Sequence, residues 1–267
     1  MFAESEGWLP TPTSAAIIGR LSEMLVARIR EIGEGDWSKY LGDHQNRLGF
    51  DLDYALRFAS KENRILEIGA FPYFLTIALA DAGFRVTALD RVPRASTDIL
   101  KNLGVPTLAC DLDRDCIPTR DGVFDVVIFN EVFEHLRNDL IHSVREIFRV
   151  LKPGGILLLS TPNLRSLAGL SNLLLRHEAY AVMGGIYEQY SGVSRGGGTG
   201  HVREYTVKEV ANFLIKLGFS IERVIYRGCY PRPRWWHLLT ILKPDLKPFF
   251  SLVARKPEML NATLTSR

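Results

Sequence analysis

Ile18, Leu21, Leu25, Ile29 and Ile32 recur at spacings of three and four residues, which paints one apolar stripe along an α-helix. Gly33 and Gly35 mark its end. A second helix is expected over 51–60, with Asp51 capping its first turn. The residues before the first stripe, 1–14, are rich in Pro, Ser, Thr and Gly and read as a lead-in. From Arg64 onward the texture changes to short β-rich runs at 65–68, 85–89, 107–109, 124–129 and 155–160, separated by helical segments. That alternation predicts parallel strands joined by crossover helices. The runs at 124–129 and 155–160 are nearly all apolar, as central strands covered on both faces require. A helix over 206–217 stopped by Gly218, a strand over 219–226 and a last strand over 249–254 complete the pattern.

The expected fold is therefore α/β, a doubly wound, mostly parallel sheet of Rossmann-like type, carrying N-terminal helices and an inserted cap. Residues 1–60 form the lead-in and helices; 61–267 form the main domain, with the insertion at about 164–200. The insertion begins as an apolar helical piece and ends in Arg195-Gly-Gly-Gly-Thr-Gly, which reads as a mobile end. Sheets of this kind bind ligands beyond the carboxyl ends of their strands, where strand order reverses.

Composition narrows the classes. The chain has 267 residues, 33 Lys+Arg against 30 Asp+Glu and 46% apolar residues. That length can bury roughly three quarters of its unfolded surface, so neither disulfides nor a structural metal is needed to hold a core. A charge of +3 does not point to nucleic acid. The longest apolar runs fall well short of the roughly 20 residues of a membrane span, and the acids in Met1-Phe-Ala-Glu-Ser-Glu do not suit a secretory signal. Cys110, Cys116 and Cys229 lack CxxC spacing and are odd in number, which fits reduced thiols in the cytoplasm.

The strand ends carry the candidate chemistry. Gly69 follows the first strand, Asp90 the second, Asp111 the third, and Asn130-Glu131 the fourth. A carboxylate about 20 residues after the glycine turn can accept two hydrogen bonds from ribose hydroxyls, which suits Asp90. One after strand three can accept from an exocyclic adenine amine, which suits Asp111. Solvated turn acids would look the same. Cys110 either lines the adenine region or is a small buried apolar group.

Together with Lys152-Pro-Gly-Gly155 and Ser160-Thr-Pro-Asn163 these turns resemble the class I S-adenosylmethionine-dependent methyltransferases. Phe124-Asp-Val-Val-Ile-Phe-Asn-Glu-Val-Phe-Glu-His-Leu136 is similar to the family's fourth motif, and His201-Val-Arg-Glu-Tyr-Thr206 to the ubiquinone-pathway O-methyltransferase branch. The resemblance implies seven strands with the last antiparallel, and S-adenosylmethionine as cofactor. It places Glu67, Gly69 and Ala70 at the first turn, Asp90 and Arg91 at the ribose, Cys110, Asp111 and Leu112 at the adenine, and Asn130 beside the methionine part. The first motif departs from type: the usual Gly-x-Gly-x-Gly has become Gly69-Ala-Phe71-Pro-Tyr73. Either the two aromatics point into the core while the backbone still meets the cofactor, or they block it and the domain is a non-catalytic relative.

Methyl transfer to a hydroxyl needs two reactants held in line and a proton removed. Glu131, Glu134 and His135 stand at i, i+3 and i+4, one face of any helix that starts after strand four. In the related branch that group is associated with a divalent metal; by spacing alone, oxygens suit Mg²⁺ and imidazole does not, and capping of the turn is the plainer role. No metal ligand is assigned here. His201, after the glycine run, is the favoured base, with Glu131 and His135 supporting it. A helix-capping histidine would look the same. His44 and Arg47 could close over the cofactor carboxylate, a solvated face being the plainer reading. The segment from Arg227 to Lys256 interleaves Trp235-Trp236 and Phe249-Phe250 with seven cations and one acid, which suits a membrane interface or lipid-linked acceptor, or plain packing under the sheet edge. The expectation is methyl transfer to an oxygen of a small molecule, glycan or lipid-linked intermediate, with peripheral membrane contact and no nucleic acid. A dehydrogenase is disfavoured by the missing Gly-x-Gly-x-x-Gly.

Overall fold

The computed structural model describes residues 2–4, 10–92, 96–182, 184–187, 200–228 and 234–258. A short strand β1 (Phe2–Glu4) precedes two long helices, α1 (Pro12–Glu31) and α2 (Ser38–Phe58). The Pro/Thr/Ser stretch that reads as lead-in in fact starts α1: Thr11 accepts the N–H of Ser14, and Pro12 takes the first helical position, where no N–H is missed. Helix α2 starts well before the expected 51–60, and Asp51 is no cap. It lies mid-helix and buried, because two arginines supply the counter-charge that a sequence cannot reveal.

The central domain runs β2 (Arg64–Ile68), α3 (Phe74–Asp81), β3 (Arg85–Asp90), α4 (Thr97–Asn102), β4 (Thr107–Ala109), β5 (Phe124–Asn130), a 3₁₀ turn (Phe133–His135), α5 (Leu140–Val150) and β6 (Leu151–Pro162). The insertion begins with α6 (Leu167–Ser171) and a π-turn (Asn172–Arg176); its expected mobile end lies outside the described residues. Then follow α7 (Val207–Lys216), β7 (Ser220–Arg227), α8 (Arg234–Leu242) and β8 (Phe249–Arg255). Helix α7 opens with a Thr206/Glu209 capping box.

Strand order is β1-β7-β8-β6-β5-β2-β3-β4. The seven expected strands are all present, with β8 antiparallel to both β6 and β7, and β1 adds a short parallel eighth at the β7 edge. Alternation sorts the strands' side chains onto two faces. Ile65, Val86, Val126, Ile128 and Leu158 meet the α1–α3 layer, whereas Leu66, Val127, Phe129, Leu157 and Leu252 meet α5 and α7. The order reverses between β2 and β5, so the crevice of interest opens at their carboxyl ends. No helix of the described residues is long and apolar enough to cross a membrane.

Candidate functional site

The turn after β2 is built around Gly69. Its φ is +73°, and a Cβ there would lie 2.3 Å from Val132 Cγ2, so only glycine lets the segment after β5 cross this closely. The amides of Gly69 and Ala70 both donate to Leu89 O. Asp90 ties the turn further, accepting from the Phe71 amide at 2.9 Å through one oxygen and from its neighbour Arg91 at 2.7 Å through the other. Each carboxylate oxygen keeps a lone pair for a ligand hydroxyl. Tyr73 holds φ +70° and buries its ring in the core, at 2% exposure. Phe71 packs edge-on against Trp37 at 4.8 Å. Of the two sequence motif aromatics, Tyr73 thus faces inward and Phe71 becomes wall.

Two chambers meet at this turn, sharing Ile68, Gly69 and Phe71. The larger, about 380 Å³, is lined among others by Asp90, Arg91, Cys110, Asp111, Leu112 and His135. The smaller, about 130 Å³, is lined by Glu67, Ala70 and Asn130 together with Tyr40, Arg47, Asp51 and Glu131. Every residue expected to touch cofactor lines one or the other. Cys110 is buried, its thiol pushed up to about 11 by desolvation, so it is wall rather than nucleophile.

The smaller chamber is strongly charged. Arg47 donates to Tyr40 Oη at 2.9 Å and stands 3.5 Å from Asp51, while its Nε has no partner among the described residues. The solvated face suggested by sequence is therefore wrong: α2 turns Arg47 inward, since Tyr40, Arg47 and Asp51 share one helical face. His44 instead packs against Tyr40, the two rings tilted at 59°. Arg227, from β7, donates to Glu131 Oε1 at 2.9 Å and lies 3.8 Å from Asp51. Burial pushes the Asp51 carboxyl up, outweighing the pull of Arg227 and Arg47. Burial likewise raises Glu67 to about 8, the Thr76 hydroxyl opposing it.

Beyond β5 the chain makes a 3₁₀ turn rather than the expected helix, and Glu131 takes φ +55°. This separates the trio expected on one face. Glu131 goes to Arg227 and to the Ser160 hydroxyl; Glu134 and His135 instead meet His201, which comes from the far side of the insertion. Glu134 is buried, with Oε2 accepting from Thr161 and Oε1 without a partner among the described residues. His135 Nε2 stands 3.9 Å and His201 Nε2 4.0 Å from that oxygen. The other ring nitrogens are engaged, His135 Nδ1 by Gly200 O at 3.1 Å and His201 Nδ1 by Glu204 Oε1 at 2.9 Å. Burial, then His201, lowers His135 to about 4, while burial, then Glu131, holds Glu134 well above the usual carboxylate range. One orphaned carboxylate oxygen and two imidazole nitrogens within 4.8 Å of one another fit a divalent cation. Glu131, held by a buried arginine, does not belong to that set. Sequence reasoning missed Tyr40, Arg47 and Asp51 as a group, although their spacing of 7 and 4 was a legible helical face, and it gave no role to Glu204, although that residue lies within the run from His201 to Thr206.

A doubly wound α/β sheet with chambers at its switch point and a carboxylate after β3 is the Rossmann-like class of architecture. Within that class, residues 66–159 match the family model described as a methyltransferase domain. The chain is 33% identical over 121 residues to a ubiquinone biosynthesis O-methyltransferase of Xanthomonas campestris, covering 42% of this chain and 48% of that one. A protein of the same description from Methylocella silvestris is 26% identical over 185 residues, 68% and 65% of the two chains. The chain thus spans about half the length of the first of these relatives. The crystal structure of Burkholderia thailandensis 1,6-didemethyltoxoflavin-N1-methyltransferase, with bound 1,6-didemethyltoxoflavin and S-adenosylhomocysteine, superposes with TM-score 0.54 at 18% identity, over 94% and 92% of the chains. Residues 66–159 thus match a methyltransferase domain, and the chain as a whole shares the fold of S-adenosylmethionine-dependent methyltransferases of known structure.

Proposed function

We propose that the protein transfers a methyl group from S-adenosylmethionine to an oxygen of a small-molecule acceptor. The observation that carries this is the pair of joined chambers, with Asp90 on one, the inward-facing Arg47 on the other and Gly69 between. In this reading Asp90 accepts from the two ribose hydroxyls and Asp111 from the adenine amine. Asn130 borders the methionine part, and the Arg47 guanidinium, its Nε unpaired among the described residues, meets its carboxylate. Transfer itself needs little from the protein but alignment of sulfonium and acceptor. His201, whose Nδ1 is held by Glu204, presents Nε2 as the proton acceptor, with His135 and Glu134 beside it. A divalent cation held by Glu134, His135 and His201 would occupy that same Nε2 lone pair, and would then supply Lewis acidity in place of proton acceptance by His201.

An acceptor with lipid or glycan character and peripheral membrane contact are the finer parts of the proposal. They are supported by exposed Leu174 and Leu175 on the insertion and by Trp235, Leu238 and Leu242 on α8, beside Lys243. Phe250, by contrast, is core. Cytoplasmic placement rests on the free thiols of Cys110 and Cys116.

Calorimetric titration with S-adenosylhomocysteine should show saturable binding, and Asp90→Ala should weaken it by about 1.5–3 kcal/mol, the range for lost charge-assisted hydrogen bonds. No binding at millimolar ligand would overturn the proposal and leave a non-catalytic relative.

A further inference from the structure

We infer that Glu204 is a positioning residue that couples cation occupancy at Glu134, His135 and His201 to the seating of the inserted segment. The inference rests on the donor set and not on methyl transfer. Glu204 is buried, three residues after His201, and among the described residues its carboxylate serves both His201 and the insertion backbone. The His201 ring places its Nδ1 2.9 Å from Oε1. From the insertion, the amide of Ala181 donates to Oε2, and that of Val182 reaches both oxygens, at 3.2 and 3.3 Å. Close docking of this stretch is built in, because a Cβ on Gly169 would lie 2.0 Å from Leu164 O and 3.3 Å from Ala181 Cβ.

The chemistry of imidazole makes these two contacts interdependent. A neutral ring has one N–H and one lone pair. Donation from Nδ1 to the Glu204 carboxylate therefore fixes the tautomer that leaves the Nε2 lone pair toward Glu134 Oε1, and makes Nε2 a better ligand. A cation drawing on Nε2 makes the Nδ1 proton more acidic, which strengthens its bond to Glu204 and holds the carboxylate in the orientation that receives the Ala181 and Val182 amides. By linkage the converse holds: a seated segment holds Glu204 where His201 needs it, and so favours the cation. Two imidazoles and one carboxylate select a first-row transition cation over Mg²⁺.

The test uses the full chain and Co²⁺ alone, read by visible absorption and by hydrogen exchange of the peptide spanning 177–187. Co²⁺ should give saturable ligand-field bands, and saturation should slow exchange at Ala181 and Val182 several-fold, whereas equal Mg²⁺ should do neither. Glu204→Gln, which keeps an acceptor oxygen but loses the charge, should weaken Co²⁺ by about 10–100-fold and abolish the exchange effect; Glu204→Ala should do more. Thermal melting of both variants shows whether they are folded. Should Glu204→Ala fail to fold, the Gln variant alone decides. Absence of Co²⁺ bands, wild-type Co²⁺ affinity in a folded Glu204→Gln, or unchanged exchange in the saturated wild type would each overturn the inference. S-adenosylhomocysteine titration of the wild type reads the methyltransferase proposal separately, so the two can fail independently.

Discussion

At Gly69 a backbone requirement and a packing requirement fall on one residue. The positive φ makes any side chain strained, and Val132 occupies the space a Cβ would need. Gly69→Ala should destabilise by about 1–3 kcal/mol from the backbone alone, with a further cost as Val132 is displaced. Chemical denaturation of Gly69→Ala and of Gly69→Ala with Val132→Ala separates these: the second change should recover the clash and leave the backbone cost. Full recovery would show that φ +73° is not a constraint. Tyr73 bears a similar left-handed backbone without glycine's freedom, and burial of its ring offsets that strain. The motif's departure from Gly-x-Gly-x-Gly is thus visible in sequence, but where each aromatic goes is decided by what surrounds it.

The element that does most to close the site is α2. Its inward face brings Tyr40, Arg47 and Asp51 to the ends of β2 and β5, and Arg227 from β7 completes a buried ionic group with Asp51 and Glu131. Removing one member of such a group leaves uncompensated buried charge. Asp51→Ala should therefore cost about 3–5 kcal/mol in urea unfolding, far more than removal of the exposed Arg28–Glu31 pair, which is worth about 0–1 kcal/mol. Equal effects would mean that water reaches the group. The helix itself is legible in part, since its apolar and polar residues alternate with helical period, yet Asp51 reads locally as a cap. Only the arrival of Arg227, 176 positions later, explains a carboxylate inside the helix.

For the molecule as a whole, buried titratable groups set how stability varies with pH. Glu67 titrates near 8 in the fold against an ordinary 4.5, so folding takes up a proton between those values and stability falls as pH rises through them. His44 and His135 titrate near 4 against an ordinary 6.5. There the unfolded chain holds the extra proton, so stability rises as pH climbs from about 4 to 6.5. The ligand-free protein should thus be most stable in mildly acid to neutral solution. Glu67→Gln should raise the melting temperature by roughly 5 °C near pH 8.5 and by much less near pH 5. A pH-independent difference between variant and wild type would place the Glu67 carboxyl in water.

The sheet is legible in the local pattern of residues. Short apolar runs at β2, β3, β5 and β6, the glycine turn after β2 and the acids after β3 and β4 are local signals, because strand formation and tight turns depend on residues within a few positions of one another. All nine residues expected at the cofactor line the two chambers for that reason: they sit at strand ends, and strand ends in such a sheet converge. The partners of the buried charges depend on contacts between distant segments. Glu131 parts from Glu134 because a buried arginine from β7 competes for it. Arg47 faces inward because the sheet is where α2 packs. His201 meets Glu134 and His135, and Glu204 reaches back to the insertion, because distant segments fold against one another, and the partners of a buried charge are chosen by space rather than by spacing along the chain.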